Sequence, residues 1–189
     1  MKHLALAVAP ALALAALSTG CRNDPVPQAI IDALPADSTP NGPLHRPGQP
    51  CLACHDAYGG ATQFAVAGTI FALDATGKKV LAAPNIRVTV LDSSNGGGSA
   101  IGNTLHACTN ASGNFYVLAS DATGITFPLS PTAAGLPMVS LIGRDGSCAT
   151  CHKLPDATSL DAITGAGHDS AGVILVDPSK TDPSCGGSP

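Results

Sequence analysis

Two pentapeptides with the pattern Cys-x-x-Cys-His constrain this chain more than any other feature of its 189 residues. They are Cys51-Leu-Ala-Cys54-His55 and Cys148-Ala-Thr-Cys151-His152. With 7 Cys and 6 His in the chain, one such motif arises by chance in roughly one chain in a hundred, and two arise far less often. We therefore expect two sites of the same kind, each built from two thiols and an adjacent imidazole.

This spacing is the attachment signal for c-type haem. The two thiols form thioethers with the vinyl groups of the haem, and the following histidine is aimed at the iron as its proximal ligand. The sequence therefore predicts two covalently attached c haems. They would be held by Cys51, Cys54 and His55 and by Cys148, Cys151 and His152.

Zinc binding and plain disulfides are the alternative uses of these cysteines. Two Cys-x-x-Cys pairs can supply a zinc site with four thiolate ligands. The pairs are separated here by residues 55–147, whereas a zinc ribbon places them about 15–20 residues apart. A zinc site would also leave His55 and His152 without a role.

The N-terminus has the pattern of an export signal. Lys2 supplies a positive charge, and the apolar run from Leu4 to Leu17 has the length of a signal-peptide core, too short for a membrane span. Residues 1–20 are predicted to be this signal. The run ends in Leu17-Ser-Thr-Gly-Cys21, which resembles a bacterial lipobox and implies lipidation of Cys21.

Two details of the lipobox bear on processing. Leu17 lies four residues before the cysteine, where three is usual, so plain secretory cleavage and a disulfide role for Cys21 stay open. Arg22 stands where an inner-membrane retention signal has Asp, and by resemblance this implies an outer-membrane or cell-surface lipoprotein on the periplasmic or extracellular side.

The remaining cysteines are predicted to form a disulfide. Haem c is attached outside the cytoplasm, where disulfides also persist. If Cys21 is lipidated and the four motif cysteines bind haem, Cys108 and Cys185 remain. We expect a disulfide between them, with two separate thiols as the alternative.

Composition limits the partners. Residues 21–189 suffice for one domain with a modest core. The net charge of −4 argues against nucleic acid and favours neutral or basic partners. The chain has no Trp, 2 Tyr and 4 Phe, so two haems would supply large apolar bodies for the core to pack around.

The chain divides into a tether, two haem-binding segments and a central domain. Residues 21–50 are rich in Pro, Asp, Asn and Ser and are predicted to be a lipidated tether, with one possible helical turn at Gln28–Leu34. Residues 51–63 form the first haem-binding segment. Residues 146–189 form the second, with a C-terminal tail in which residues 173–176 are expected to join the sheet as a strand.

Residues 64–145 are predicted to form a small antiparallel β-sandwich. Alternation is clearest at Ile86, Val88 and Val90, a half-buried strand. Gly-rich turn clusters separate short strands, as in a sandwich. The other predicted strands are Phe64–Ile70, Leu105–Cys108, Asn114–Leu118, Met138–Ile142 and Val173–Val176.

The central domain resembles a carboxypeptidase-regulatory or transthyretin-like domain. The resemblance rests on Ala67-Gly-Thr-Ile-Phe71, on the run from Gly77 to Val90, and on Thr109-Asn-Ala-Ser-Gly-Asn-Phe-Tyr116. It implies a mostly β scaffold without catalytic function. With a haem motif at each end, the whole chain resembles small secreted multihaem cytochromes built on a β-domain.

The second axial ligands decide what two such haems can do. His45, His106 and His168 are the candidate distal ligands, with His168 favoured for the second haem because glycines flank it. Met138 is a further candidate, and its alternative role is core filling. Two bis-histidine haems would be low-spin, with no open position for substrate.

These features predict a dihaem electron carrier without catalytic residues. It would pass electrons by outer-sphere transfer to other redox proteins or extracellular acceptors, with self-assembly as one arrangement. A haem enzyme or gas sensor with one five-coordinate iron is the first alternative. A structural or adhesion β-module that bears haem is the second.

Overall fold

The computed structural model describes residues 25–37, 39–56, 59, 61–93, 104–154 and 170–186. The predicted signal peptide, Cys21 and His168 lie outside them. The chain divides into two compact units, residues 1–34 and residues 35–189. In the described part of the first unit, helix α1 spans Pro25–Asp32, and Gln28 Nε2 donates a 2.7 Å hydrogen bond to Asp32 Oδ1. No helix among the described residues is long and apolar enough to cross a membrane.

The second unit is mostly β, with two sheets whose strands are mainly antiparallel. Its short helices are α2, Leu52–His55, and two 3-10 turns, Cys148–Thr150 and Pro183–Cys185. Its strands are β1 Phe64–Leu73, β2 Val80–Ala82, β3 Arg87–Asp92, β4 Thr104–Cys108, β5 Asn114–Leu118, β6 Leu129–Ala133, β7 Leu136–Pro137 and β8 Ile174–Leu175.

Strand β1 is the hub of the first sheet. It pairs antiparallel with β5 and β2 and in parallel with β8. Residues 66–72 are all buried, so both faces of the strand are covered. The continuous apolar run of this strand is typical of a central strand rather than of one with a solvent-facing side.

The second sheet has the order β4-β3-β6-β7. In β3, Val88 and Val90 are buried while Arg87 and Thr89 are only half-buried, which confirms the predicted alternation. One hydrophobic cluster contains Val66 and Ile70 of β1 together with Val88 and Val90 of β3. The core therefore lies between the two sheets, as in a sandwich.

The predicted strand at Met138–Ile142 is wrong. Only Leu136–Pro137 is a strand there, and Ile142 makes a single bridge to Leu129. Val139 is fully exposed, so this apolar run does not form a half-buried ladder. The partner of β3 is instead β6, a strand that the sequence analysis did not identify because it contains Pro131 and follows Pro128.

The predicted disulfide between Cys108 and Cys185 is confirmed, with a sequence separation of 77. It joins the end of β4 to the 3-10 turn Pro183–Cys185. The Cys185 side chain is completely buried. The bond therefore attaches the C-terminal segment to the second sheet.

We expect the double variant Cys108→Ala, Cys185→Ala to be less stable by about 4 kcal/mol, because the unfolded chain regains the loop entropy that the bond removes. Denaturant unfolding followed by circular dichroism measures the change. Reduction of the unsubstituted protein is the control, since it opens the same loop without cutting side chains. Unchanged unfolding midpoints in both would contradict a stabilising role.

Candidate functional site: two Cys-x-x-Cys-His segments on one strand

The two motif segments lie side by side although residues 55–147 separate them in sequence. Helix α2 and the 3-10 turn Cys148–Thr150 both contact β1. A Cβ added at Gly48 would lie 2.8 Å from Leu154 Cβ, so the chain before the first motif meets the chain after the second. Burial is the main cause of the raised pKa of Cys148, and the proximity of Cys51 raises it further.

Small residues seat the second motif on β1. The Ala67 amide donates a 3.0 Å hydrogen bond to the Gly146 carbonyl, and Ala67 bridges to Ser147. A Cβ added at Gly68 would lie 2.7 Å from Cys148 Cβ and 2.9 Å from its sulfur. Only a glycine at position 68 lets the first cysteine of the motif approach the strand this closely.

Both motif histidines have the same hydrogen-bond arrangement. His55 Nδ1 bonds to the Thr62 carbonyl at 2.7 Å, and His152 Nδ1 bonds to the Gly172 carbonyl at 2.8 Å. A carbonyl oxygen only accepts, so Nδ1 carries the proton in each ring. The lone pair of the neutral imidazole is then on Nε2, available to a metal, and the carbonyl also fixes the ring orientation.

A buried polar network holds the segment that carries His45. Thr69 Oγ1 accepts from the Gly48 amide and donates to Asn114 Oδ1, both at 2.8 Å. Asn114 Nδ2 donates to the His45 carbonyl at 2.9 Å, and Asn110 Nδ2 donates to the Pro43 carbonyl at 2.6 Å. The end of the predicted tether is therefore fixed to β1 and the turn before β5.

His45 lies next to His55. Their ring centroids are 5.9 Å apart, with the planes tilted by 40°. Two imidazoles that share one metal through bonds of about 2.0 Å have centroids about 6 Å apart. His45 Nδ1 also bonds to a carbonyl, that of Gly42, so its Nε2 is available in the same way.

An aromatic stack extends from His55 toward solvent. The His55 ring stacks on Phe64 with centroids 4.1 Å apart, and Phe64 stacks on Tyr116 at 4.6 Å. Tyr116 is exposed on β5. The stack fixes the His55 ring plane in addition to the Thr62 hydrogen bond.

The four motif cysteines are free thiols. Burial raises the pKa of Cys51 to about 11 and that of Cys148 to about 12, so both are protonated at neutral pH. Among the described residues, which include all four thiols, no three His, Cys, Asp or Glu side chains converge as a metal-binding group.

A cavity of about 880 Å³ lies beside the second motif. Cys148, Cys151 and His152 line it together with Met138, and most of the remaining lining is aliphatic. Its volume is in the upper range of cofactor pockets. Ser147 also lines this cavity, and its buried hydroxyl has no hydrogen-bond partner among the described residues. Such an orphaned group is typical of a site that receives a ligand.

The other predicted ligands fall in different places. His106 is exposed on β4, and its Nδ1 contacts Thr89 Oγ1 at 3.2 Å, across the pair with β3. It does not line the cavity. His168 lies outside the described residues. Thr69, Asn110 and Asn114 were not predicted as positioning residues. The polar turn before β5 marked Asn110, whereas no pattern marked Thr69 of β1 or Asn114 of β5.

The chain matches no protein-family model, no curated protein and no solved structure. The likeness to a transthyretin-like domain therefore stays a resemblance.

We expect Gly68→Ala to lower the free energy of unfolding by about 1–3 kcal/mol, because the new methyl group forces Cys148 away from β1. Chemical denaturation measures the loss. Gly143→Ala is the matched control, since a Cβ there meets nothing within 4 Å. Equal stability of the two variants would show that Cys148 does not press on the strand.

Proposed function

We propose that this chain is an exported dihaem c-type cytochrome that carries electrons by outer-sphere transfer between other redox proteins. The observation that carries the proposal is the shared state of His55 and His152. Each donates Nδ1–H to a backbone carbonyl and keeps Nε2 for a metal. A six-coordinate haem c supplies one-electron transfer without an open position for substrate.

The residues of the second motif fit a covalent haem. Cys148 and Cys151 line the same cavity as His152, and the apolar lining suits a tetrapyrrole. The Ser147 hydroxyl, which has no partner among the described residues, offers a hydrogen bond. Arg144 is a donor for carboxylate substituents, and Asp145 in the same lining offsets its charge. Exposed Leu136 and Leu141 would be covered by such a ligand.

The residues of the first motif fit a second haem with two histidine ligands. His45 and His55 are spaced as a pair that shares one metal. The His45 backbone is held by Asn114 and its ring by the Gly42 carbonyl, and the His55 ring is held by the Thr62 carbonyl. Exposed Leu44 and Tyr116 supply apolar surface near these two residues.

Export and lipidation belong to the proposal. The disulfide between Cys108 and Cys185 suits an oxidising compartment, which is also where haem c is attached. The resemblance of the N-terminus to a lipobox favours a lipid at Cys21 and a location at the outer membrane or cell surface. The net charge of −4 favours redox partners with a basic docking surface.

The first test is a pyridine haemochrome count on the protein expressed with haem-attachment machinery. We expect two haems per chain, and one in each of the variants Cys51→Ala, Cys54→Ala and Cys148→Ala, Cys151→Ala. The variant Cys108→Ala, Cys185→Ala is the control and should keep both. Low-spin spectra without CO binding support the electron carrier. Absence of haem overturns the proposal, and a CO-binding iron in the unsubstituted protein favours an enzyme or sensor.

We also expect His45→Ala to convert the first haem to a high-spin, CO-binding form, because its second axial ligand is lost. The experiment is sharpest in the variant that lacks Cys148 and Cys151, where only the first haem remains. His106→Ala is the matched control and should leave the optical spectrum unchanged. A low-spin spectrum in His45→Ala would assign the distal position to another residue.

A further inference from the structure

Met138 is placed in the cavity of the second motif. It lines the same cavity as His152, Cys148 and Cys151. Its amide donates a 3.0 Å hydrogen bond to the Pro131 carbonyl, directly after the β6–β7 hairpin. The residue is half-buried and packs against the main hydrophobic cluster. One side of Met138 is therefore held by the core and another faces the cavity.

The histidines among the described residues are committed elsewhere. His45 is paired with His55 at the first motif, and His106 is exposed on β4 beside Thr89. Neither of them lines the cavity. Met138 supplies the one thioether among the described residues that line this cavity with His152, and it does not belong to the attachment motif. Thioethers are established axial ligands of c-type haem iron.

We propose that Met138 is the second axial ligand of the haem held at Cys148, Cys151 and His152. This inference rests on the proposed function. It makes the two haems unlike, since one iron has two imidazole ligands and the other has one imidazole and one thioether. Methionine ligation raises the reduction potential relative to a second histidine. An electron shared by the two haems would therefore reside mainly at the second motif.

Because the two motif segments are neighbours, a difference in reduction potential between their haems would bias electron transfer from one to the other. Helix α2 and the 3-10 turn Cys148–Thr150 both contact β1, and Gly48 lies against Leu154, so the two attachment segments are neighbours. Transfer between two adjacent centres of unequal potential has a preferred direction. The chain would then act as a one-way step between a low-potential donor and a higher-potential acceptor.

The test is the optical and redox behaviour of the full-length protein with both haems. Met138→Leu keeps the volume of the side chain and removes the sulfur ligand. We expect it to abolish the far-red sulfur-to-iron charge-transfer band and to leave one high-spin, CO-binding haem per chain. Met138→His should restore a low-spin spectrum without the band and lower one of the two reduction potentials. Leu136→Ala, in the same cavity lining, is the control and should keep the band.

Two results would overturn the assignment. One is an unsubstituted protein without the far-red band whose spectrum Met138→Leu does not change. The other is a high-spin haem in His168→Ala together with an unchanged Met138→Leu variant, which would give the position to His168. Both results leave two haems per chain and so leave the proposed function intact, whereas a haem count below two removes the proposed function itself.

Discussion

The close approach of the second motif to β1 is the contact on which the rest of the site depends. The strand is buried along residues 66–72, so whatever rests on it is held by a rigid element. Ala67 and Gly68 leave room for Ser147 and Cys148 to reach the backbone. Because helix α2 also contacts β1, one strand fixes the relative position of both attachment segments.

Buried polar residues hold the end of the predicted tether in place, as small residues hold the second motif against β1. Thr69, Asn110 and Asn114 are buried, which costs free energy unless each polar atom is bonded. Their partners include the Pro43 and His45 carbonyls. Without the segment that contains Pro43 and His45, the buried side-chain amides of Asn110 and Asn114 would lose their acceptors. The docking of this segment and the stability of the sheet therefore depend on each other.

Elements with a strong local pattern could be predicted from the sequence. Alternation predicted β3 and most of β1, although β1 is buried on both faces and does not alternate. The Cys-x-x-Cys-His spacing marked the candidate site residues directly. Strand β6 was missed because Pro131 argues against a strand, and Met138–Ile142 was misassigned because an apolar run can line a cavity as well as a sheet. The pairing of His45 with His55 could not be read from sequence, because Asn114, 69 positions away, holds the His45 carbonyl.

The C-terminal disulfide links ring geometry to the chemical history of the chain. Gly172, whose carbonyl orients His152, begins a segment held by the two-residue strand β8, by a bond from the Asp182 amide to the Asn85 carbonyl, and by Cys185. So short a strand contributes little by itself. A chain assembled under reducing conditions would keep every atom of the motif and lose one attachment of the segment whose first carbonyl orients the His152 ring. The oxidation state of two cysteines outside the motif therefore bears on how firmly that imidazole is held.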